Sequence, residues 1–526
     1  MNNKKRLLLA VSGGILAAIP WWTGLWFLLP VCFVPLLIIE DDTAGNNADF
    51  SELFNFSFIF FFTWNFFATW WIARINIPGG LAVIILNSLL MSLVFLLYGA
   101  IKRGTGANPV ILVLLWAAFE YLHHKGDLSW PWLSLGNGLA GDIRIVQWYE
   151  YTGMQGGGIW VMLVNVLFFA GIRHYIIHGI NRLFLYRLLL TIMVVLIPVT
   201  ASIKIYDSMD EDGGKANFLI VQSALDPYGD KFSLSNSGRL DMILKLTAQG
   251  MDERVDYIVT PETSVDSIQI ADADDEFIQR IKEFMEQFPG AGLVLGATTF
   301  SPATFSGNNS FTVRTDEAGR AFEVQNSALF FTSGTYQWAY HKYYLANGVE
   351  QVPFEKVFGF LGGLSLNMGG VSGSLKPGPG PGVFSSSVAD SLVLGTLICF
   401  ESSYGEYAAR MTRKGAEIIL VITNDGWFKN TGAYRQHLRL SRIRAIETRR
   451  DIVRAANTGI SCHITRKGDI AASLDPWETD FLPVRPSVNR ELTFYSRTGD
   501  YIGRIALFFS VLMVLNFLTV KYISRK

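Results

Sequence analysis

The distribution of apolar residues divides the chain into two contrasting parts. A bilayer crossing needs about 20 apolar residues, and runs close to that length fill the first part of the chain and recur once near its C-terminus. The runs are 6–20, 22–39, 53–74, 79–101, 108–124, 157–177, 184–204 and 502–520. The sequence therefore predicts a seven-helix transmembrane domain over residues 1–205, and a C-terminal transmembrane helix with a short tail within residues 491–526.

The first apolar run also has features of a secretory signal peptide. Lys4, Lys5 and Arg6 precede an apolar stretch that contains small residues, as in such peptides. However, a second apolar run begins shortly after Pro20. We therefore expect the first run to be a retained helix.

The middle of the chain has the pattern of an α/β domain. Residues 206–215 are acidic and contain glycine, which is typical of a linker, and residues 216–490 alternate β-rich apolar runs with amphipathic segments. The predicted strands are 217–223, 256–262, 292–300, 328–333, 392–401 and 417–425. Apolar residues between 277 and 288 recur at helical spacing and predict a packing helix.

The positions of Lys and Arg predict the orientation in the membrane. Basic residues mark cytoplasmic loops, and they occur at the N-terminus, at Lys102 and Arg103, between Arg173 and Arg187, and in the C-terminal tail. Alternating crossings place all these segments on one side. We therefore expect both termini in the cytoplasm and the α/β domain on the opposite side of the membrane.

Composition supports a membrane protein and argues against several other classes. Half of the residues are hydrophobic and 17% are charged, against about 25% charged in soluble domains. The formal net charge of -1 argues against a nucleic-acid binder, which usually has a basic face. The three cysteines form no disulfide framework or zinc motif, and we expect no cofactor or metal.

A transporter is an alternative for the helical part. Few ionisable residues lie within the apolar runs, and no pair of broken helices is apparent. Glu120, His123 and His124 fall at the outer end of the fifth run, where the histidines are expected to cap the interface. Trp130 and Trp132, in the loop WPWLSLGNG, either anchor the headgroup level or line a path for lipid.

Three predicted strand ends in the α/β domain carry reactive side chains. Glu262 follows DYIVTP, Lys342 follows an aromatic-rich strand, and Cys399 ends the apolar run GTLIC before a predicted helix. The helix dipole would favour a thiolate there. Each residue alone is typical of a core or surface position. Together they supply a base, a cation for an oxyanion and a thiol, which acyl transfer to sulfur requires.

Longer motifs carry a resemblance to a known family. The segments are TPET at Glu262, YHK at Lys342, ICFE at Cys399, NDGWF at 424–428, RAIETRRDIVRAANTGIS at 444–461, and the PWLSLGNG loop with Glu120. With its helices included, nearly the whole chain resembles the apolipoprotein N-acyltransferase family, a membrane-embedded group of the nitrilase (carbon–nitrogen hydrolase) superfamily.

The resemblance implies a nitrilase-like αββα sandwich with a Glu–Lys–Cys triad. In this family Glu262 would be the general base, Lys342 would stabilise the oxyanion and Cys399 would be the nucleophile. Glu350 would help to orient the lysine and substrate, and Glu401 is an acid beside the nucleophile. The implied reaction is ping-pong: Cys399 takes an acyl chain from a phospholipid and passes it to the N-terminal amine of a diacylglyceryl-cysteine apolipoprotein.

The chain departs from the family pattern in the segment that holds Glu350. Residues 346–350 read ANGVE where the family has a Val-Pro-Phe/Met-Gly-Glu run, and Lys429 replaces a usual Gly. The apolar segment 356–366 is interpreted as a mobile flap over a lipid site or as a packed excursion. The candidate lipid-binding side chains outside the Trp130 loop are Phe358, Phe360, Trp427 and Phe428.

Two alternatives remain from the sequence. The same three residues would serve a membrane-bound nitrilase-type amidase, with water as the acceptor, and a catalytically inactive lipoprotein-binding homologue would keep the fold. The other cysteines are expected to take no part: Cys462 lies in a strand-like segment and Cys32 within a predicted spanning helix.

Overall fold

The computed structural model of the protein separates into two compact units. They are Met1–Met209 with Thr498–Lys526, and Asp210–Arg497. The structure describes residues 1–46, 49–210, 213–229, 233–303, 312–351, 374–386, 388 and 391–523.

The first unit is helical. Its N-terminal helices are α1 (Asn3–Thr23), α2 (Leu29–Cys32), α3 (Val34–Gly45), α4 (Phe50–Thr69), α5 (Ile72–Ile75), α6 (Ile77–Thr105), α7 (Ile111–His123), α8 (Tyr149–His178) and α9 (Arg182–Ser208). Helix α9 continues into the segment that the sequence predicts as a linker.

The second unit contains two β-sheets and flanking helices. Its strands are β1 (Phe218–Gln222), β2 (Tyr257–Val259), β3 (Val265–Gln269), β4 (Gly292–Pro302), β5 (Val313–Thr315), β6 (Ala321–Thr332), β7 (Thr335–His341), β8 (Val383–Ser385), β9 (Val393–Ile398), β10 (Ile418–Thr423), β11 (Ile452–Ala456), β12 (Cys462–Ile464), β13 (Ile470–Ser473) and β14 (Asp480–Val484). Its helices are α10 (Asn236–Gly250), α11 (Glu276–Glu286), α12 (Gly405–Arg413), α13 (Ala433–Thr448) and α14 (Phe494–Thr498).

The chain returns to the first unit in α15 (Tyr501–Ile523). The Gly503 amide donates to Gln155 Oε1 over 2.9 Å, which joins α15 to α8. A Cβ at Gly503 would lie 2.6 Å from the Tyr121 side chain, so a glycine is needed where α15 crosses α7.

The described residues contain five helices that are long and apolar enough to cross a membrane: α1, α6, α8, α9 and α15. Helix α7 is apolar but has 13 residues. The sequence predicts eight spanning helices, whereas five helices in the described residues meet the requirements of length and apolar composition.

The prediction of one helix over 22–39 is wrong. That run is split into a 3-10 turn at Trp26–Leu28, then α2, then α3. Pro35 has no N–H for a continuous helix and instead lies in the first turn of α3. Asn165 satisfies the backbone at the break, because its Oδ1 accepts from the Phe33 amide over 2.8 Å and its Nδ2 donates to the Leu29 carbonyl over 2.8 Å.

The two sheets of the second unit form the inner layers of a sandwich. The first has the order β14-β1-β2-β4-β6-β5, with β3 beside β4 and β7 beside β6, and the second has the order β13-β12-β11-β10-β9-β8. The rings of Phe330 and Phe384 bridge the sheets with centroids 4.5 Å apart. Helices α10 and α11 cover the first sheet through apolar residues that include Ile243 and Ile281. The predicted αββα architecture is confirmed.

Strand direction brings polar residues to one edge of the sandwich. β1, β2 and β4 run parallel in one sheet, and β9, β10 and β11 run parallel in the other. Glu262 follows β2, Cys399 follows β9 and Asn424 follows β10. The carboxyl ends of the parallel strands of both sheets therefore supply the candidate site.

The bridge made by Asn165 gives a test of the break between α2 and α3. We expect Asn165→Leu to lower the free energy of unfolding by about 1–3 kcal/mol, because the Phe33 amide and the Leu29 carbonyl lose a buried partner. Thermal unfolding in detergent measures this loss. Asn516→Leu, at an exposed position of α15, is the matched control, and equal melting temperatures for both variants would contradict the assignment.

Candidate active site

Glu262 is placed by a close approach of two backbone segments. β2 ends at Val259, and the following turn packs on Gly296 of β4, where a Cβ would lie 2.0 Å from the Pro261 carbonyl oxygen. A glycine is therefore required under the turn. Ser264 Oγ donates to the same Pro261 carbonyl over 2.8 Å, so the turn holds Glu262 rigidly.

The Glu262 carboxylate is buried but fully engaged. It is 5% exposed. Oε1 accepts from Asn326 Nδ2 over 2.7 Å and from Lys342 Nζ over 3.0 Å, and Oε2 accepts from the Asn424 amide over 2.9 Å. Burial raises the pKa of Glu262, but the Lys342 charge and these hydrogen bonds outweigh it and hold the pKa below the ordinary value.

Lys342 lies between two carboxylates. It follows β7, and its amide donates to the Asn326 carbonyl over 2.8 Å. Nζ is 3.0 Å from Glu262 Oε1 and 2.8 Å from Glu350 Oε2. Burial lowers the pKa of Lys342, but the charges of Glu262 and Glu350 raise it well above the ordinary value. The ammonium is therefore a fixed positive charge inside the site.

Glu350 is held by its own loop. Its Oε2 accepts from the Ala346 amide over 2.8 Å, and its Oε1 accepts from Asn326 Nδ2 over 2.9 Å. The amide of Asn326 thus joins both carboxylates that contact Lys342. Although ANGVE departs from the family pattern, the structure brings Glu350 to the lysine.

Cys399 begins a 3-10 helix, Cys399–Ser403, directly after β9. Its φ is 51°, in the left-handed region that costs a non-glycine residue roughly 1–2 kcal/mol. The residue is partly exposed, unlike Cys32 and Cys462, which are buried.

The expected thiolate at Cys399 is wrong for the resting site. Burial and the nearby Glu262 charge raise the pKa of Cys399 above its ordinary value, and the opposing effect of Lys342 is smaller. The sulfur is therefore a thiol at neutral pH and needs a base before it can attack. Glu262 and Lys342 contact each other, and the charges of both act on the Cys399 thiol.

Glu401 connects the strands that carry Lys342 and Cys399. Its carboxylate accepts from the Tyr340 hydroxyl over 2.8 Å, from the Tyr343 amide over 2.7 Å and from the Ile398 amide over 2.8 Å. Burial raises the pKa of Glu401 to about 7, against the effect of these donors. Glu401 therefore holds the backbone segments next to Lys342 and next to Cys399.

The remaining predicted site residues lie in several environments. Trp130 and Trp132 stack in the first unit with ring centroids 5.9 Å apart, and Trp132 is buried. Trp427 packs on Tyr228 in the second unit. The other residues are Phe428, which is buried against His437, and Phe358, Phe360 and the segment 356–366, which lie outside the described residues.

Glu120 has a clear structural partner in the first unit. Its Oε1 accepts from the Leu135 amide over 2.9 Å and from Trp116 Nε1 over 3.0 Å. His124 Nε2 lies 2.8 Å from Ser134 Oγ. Both residues therefore hold the WPWLSLGNG loop against the end of α7.

Several site residues were not predicted from the sequence. Asn326 and Tyr340 lie on β6 and β7, and they contact the carboxylates of Glu262 and Glu401. Asn326 lies in the polar run Gln325–Ser327 of β6, and these residues are buried in the structure. The local sequence therefore does not distinguish Asn326 from an exposed polar residue.

The positive charge of the site comes from the protein itself. Among the residues described, no group of three or more His, Cys, Asp or Glu side chains is arranged to hold a metal ion. Lys342 is the cation in contact with Glu262 and Glu350.

Both parts of the chain match families of known proteins. The family model for the apolipoprotein N-acyltransferase N-terminal domain matches residues 12–167, and the carbon-nitrogen hydrolase model matches residues 222–485, half of the chain. A solved structure of a mutant amidase of the nitrilase superfamily from Nesterenkonia AN1 is 17% identical, with 56% of this chain and 97% of that chain covered and a TM-score of 0.37.

Relatives that match most of the chain are named apolipoprotein N-acyltransferases. The chain is 24% identical to the apolipoprotein N-acyltransferase of Chlorobaculum tepidum, with 96% of this chain and 95% of the relative covered. It is 26% identical to that of Thermotoga maritima, with 83% and 77% covered, and 25% identical to that of Geobacter metallireducens, with 94% and 92% covered. The chain therefore belongs to the carbon–nitrogen hydrolase family, within the apolipoprotein N-acyltransferases that join this domain to an apolar N-terminal domain.

Proposed function

We propose that this protein transfers a fatty acyl chain from a phospholipid to the N-terminal amine of a diacylglyceryl-cysteine apolipoprotein, through a thioester on Cys399. The observation that carries the proposal is the buried Glu262–Lys342 ion pair, whose charges act on the thiol of the partly exposed Cys399. The names of the full-length relatives support the N-acyltransferase activity. Five long apolar helices in the described residues suit an enzyme whose two substrates are lipids.

The first half-reaction begins with removal of the thiol proton. Glu262 takes the proton from Cys399 Sγ, and the sulfur attacks the ester carbonyl of the phospholipid. The C–S bond forms and the carbonyl oxygen becomes an oxyanion. When the intermediate collapses, the C–O bond breaks and the lysophospholipid oxygen takes the proton back from Glu262.

Lys342 supports the charge that develops on the oxygen. A fixed ammonium in a water-poor site stabilises an oxyanion strongly, because little reorganisation is needed. Glu350 and Glu262 keep Nζ in place from two sides. In the resting site the charges of Glu262 and Glu350 raise the pKa of Lys342 and keep it protonated.

The second half-reaction returns the thiol. The neutral amine of the apolipoprotein attacks the thioester carbonyl, and Glu262 takes the proton that the nitrogen loses. The C–S bond breaks, the amide is released, and Cys399 recovers its proton from Glu262. A thioester reacts readily with an amine, and exclusion of water limits hydrolysis.

We also propose a location for this chemistry. The distribution of Lys and Arg supports cytoplasmic termini in a bacterial inner membrane, with the catalytic domain on the periplasmic side. Membrane lipids would supply the acyl donor.

Cys399→Ala is expected to abolish acyl transfer, whereas Cys462→Ala retains it, because Cys462 is buried in β12. Mass spectrometry of the purified protein incubated with phospholipid alone should show an acyl adduct on Cys399 together with lysophospholipid. Equal activity of the two variants would exclude this mechanism. Release of free fatty acid without N-acylated peptide would favour the amidase or hydrolase, and the absence of any adduct would favour the inactive binding homologue.

Glu262→Gln tests two roles of Glu262, its action as a base and the effect of its negative charge on the Cys399 thiol. Acyl transfer should fall about 100-fold or more, because the general base is lost. Alkylation of Cys399 by iodoacetamide should titrate about 1 pH unit lower than in the parent, because the like charge that raises the thiol pKa is gone. The control is Glu323→Gln, at a buried carboxylate paired with Lys376 over 2.6 Å. If the pH midpoint of alkylation is unchanged or higher in Glu262→Gln, the charge of Glu262 does not raise the pKa of Cys399.

Glu350→Gln tests the second carboxylate on Lys342. The variant keeps an oxygen for the Ala346 amide but loses one charge that holds Nζ, so kcat/KM should fall about 10-fold. Steady-state acyl transfer to a lipopeptide measures the change, again with Glu323→Gln as control. Unchanged activity would show that Glu262 alone is enough to hold Lys342.

A further inference from the structure

A second buried ionic network lies directly behind Cys399. Asp425 Oδ1 is 2.8 Å from His437 Nδ1, and Asp425 Oδ2 accepts from Arg454 over 2.6 Å. The three side chains are at most 2% exposed. The mechanism described above does not use any of them.

The other nitrogen of His437 faces the nucleophile. Nε2 is 3.1 Å from the Cys399 carbonyl oxygen and 2.9 Å from Ser402 Oγ. Ser402 Oγ itself donates to the Cys399 carbonyl over 2.8 Å. The ring and the hydroxyl therefore meet at one backbone oxygen.

That oxygen controls the direction of the thiol. The peptide after Cys399 is planar, so a held carbonyl limits rotation about the Cα–C bond of Cys399. The residue is in the left-handed region, with a φ of 51°, and such a conformation persists where surrounding contacts enforce it. The Cα–Cβ bond, and with it the thiol, then keeps one direction.

Asp425 sets the orientation of the His437 ring. A histidine whose one nitrogen is bound to a carboxylate presents its other nitrogen in a defined direction. Arg454 and the Thr423 hydroxyl, which donates to Oδ1 over 3.0 Å, hold the carboxylate from two further sides. Burial raises the pKa of Asp425, but the Arg454 and His437 charges lower it to about 2, so Asp425 is ionised at neutral pH.

We propose that His437 is a positioning residue, which with Ser402 holds the Cys399 carbonyl and so aims the thiol at the acyl carbon. The role rests on the proposed function, because it takes Cys399 to be the nucleophile. His437 makes no contact with the substrate in this proposal. Asp425 and Arg454 act through the ring.

Two substitutions at His437 separate this role from simple packing. The amide nitrogen of His437→Gln lies near the position of Nε2 and can still donate to the Cys399 carbonyl, but it loses the contact with Asp425. The amide of His437→Asn lies near the position of Nδ1, so it keeps Asp425 and loses the carbonyl. If the ring acts by holding the carbonyl, Gln retains more function than Asn.

The first measurement is the rate at which iodoacetamide alkylates Cys399, followed on the peptide that contains this residue. The second is kcat and KM for the phospholipid. For His437→Asn we expect alkylation and kcat to fall about 10-fold with KM unchanged, since a small misplacement of a reacting atom is costly. For His437→Gln, the alkylation rate and kcat should stay within about threefold of the parent, because the contact to the Cys399 carbonyl is kept. Alkylation needs no lipid, so it tests the positioning even if no acyl transfer is found.

His463→Gln is the matched control, because His463 is a second buried histidine paired with an aspartate, at 2.8 Å from Asp451. It should leave Cys399 alkylation unchanged. A reversed order of the two His437 variants, or an equal loss in His463→Gln, would overturn the proposal. If His437→Asn does not fold, Ser402→Ala decides, since it removes the other contact to the same carbonyl, and unchanged alkylation there would also overturn it.

Discussion

The pairing of Lys342 with Glu262 and Glu350 is the constraint on which the rest of the site depends. Moving such charges out of water costs several kcal/mol per ion, and the cost is offset only when geometry and hydrogen bonds are nearly complete. Here Asn326 donates to both carboxylates, and the Asn424 amide donates to Glu262. These hydrogen bonds hold the backbone around the ion pair in one conformation. A site that stabilises charge electrostatically needs such fixed groups.

Burial and the same pair together keep the thiol protonated at rest. Burial raises the pKa of Cys399 most, and Glu262 raises it more than Lys342 lowers it. A resting thiol is less open to oxidation than a thiolate. In the proposed mechanism, activation depends on a substrate that brings its carbonyl near Lys342, so that negative charge passes from sulfur to oxygen as the bond forms.

Both units use polar side chains to hold irregular backbone in apolar surroundings. Asn165 satisfies the break between α2 and α3, and Glu120 holds the loop after α7 through the Leu135 amide. Where no water is present, each such group needs an internal partner. In the second unit Glu401 has the same role, because it binds the backbone next to Lys342 and next to Cys399.

The sequence by itself determined the α/β pattern, six of the strands and the helix at 276–286, because burial of apolar faces imposes periodicity that is local in the chain. The αββα class followed from the resemblance of the motifs to the nitrilase superfamily. The sequence also identified Glu262, Lys342 and Cys399 as candidates, since each follows a strand. Only the tertiary structure decided that the second apolar run is broken, that the thiol is protonated, and that Asn326, Tyr340 and His437 surround the site. These properties depend on partners far apart in sequence, such as Asn165 for the Phe33 amide and Glu262 for the Cys399 thiol. Hydrogen bonds and charge–charge interactions act through space, and no local pattern records them.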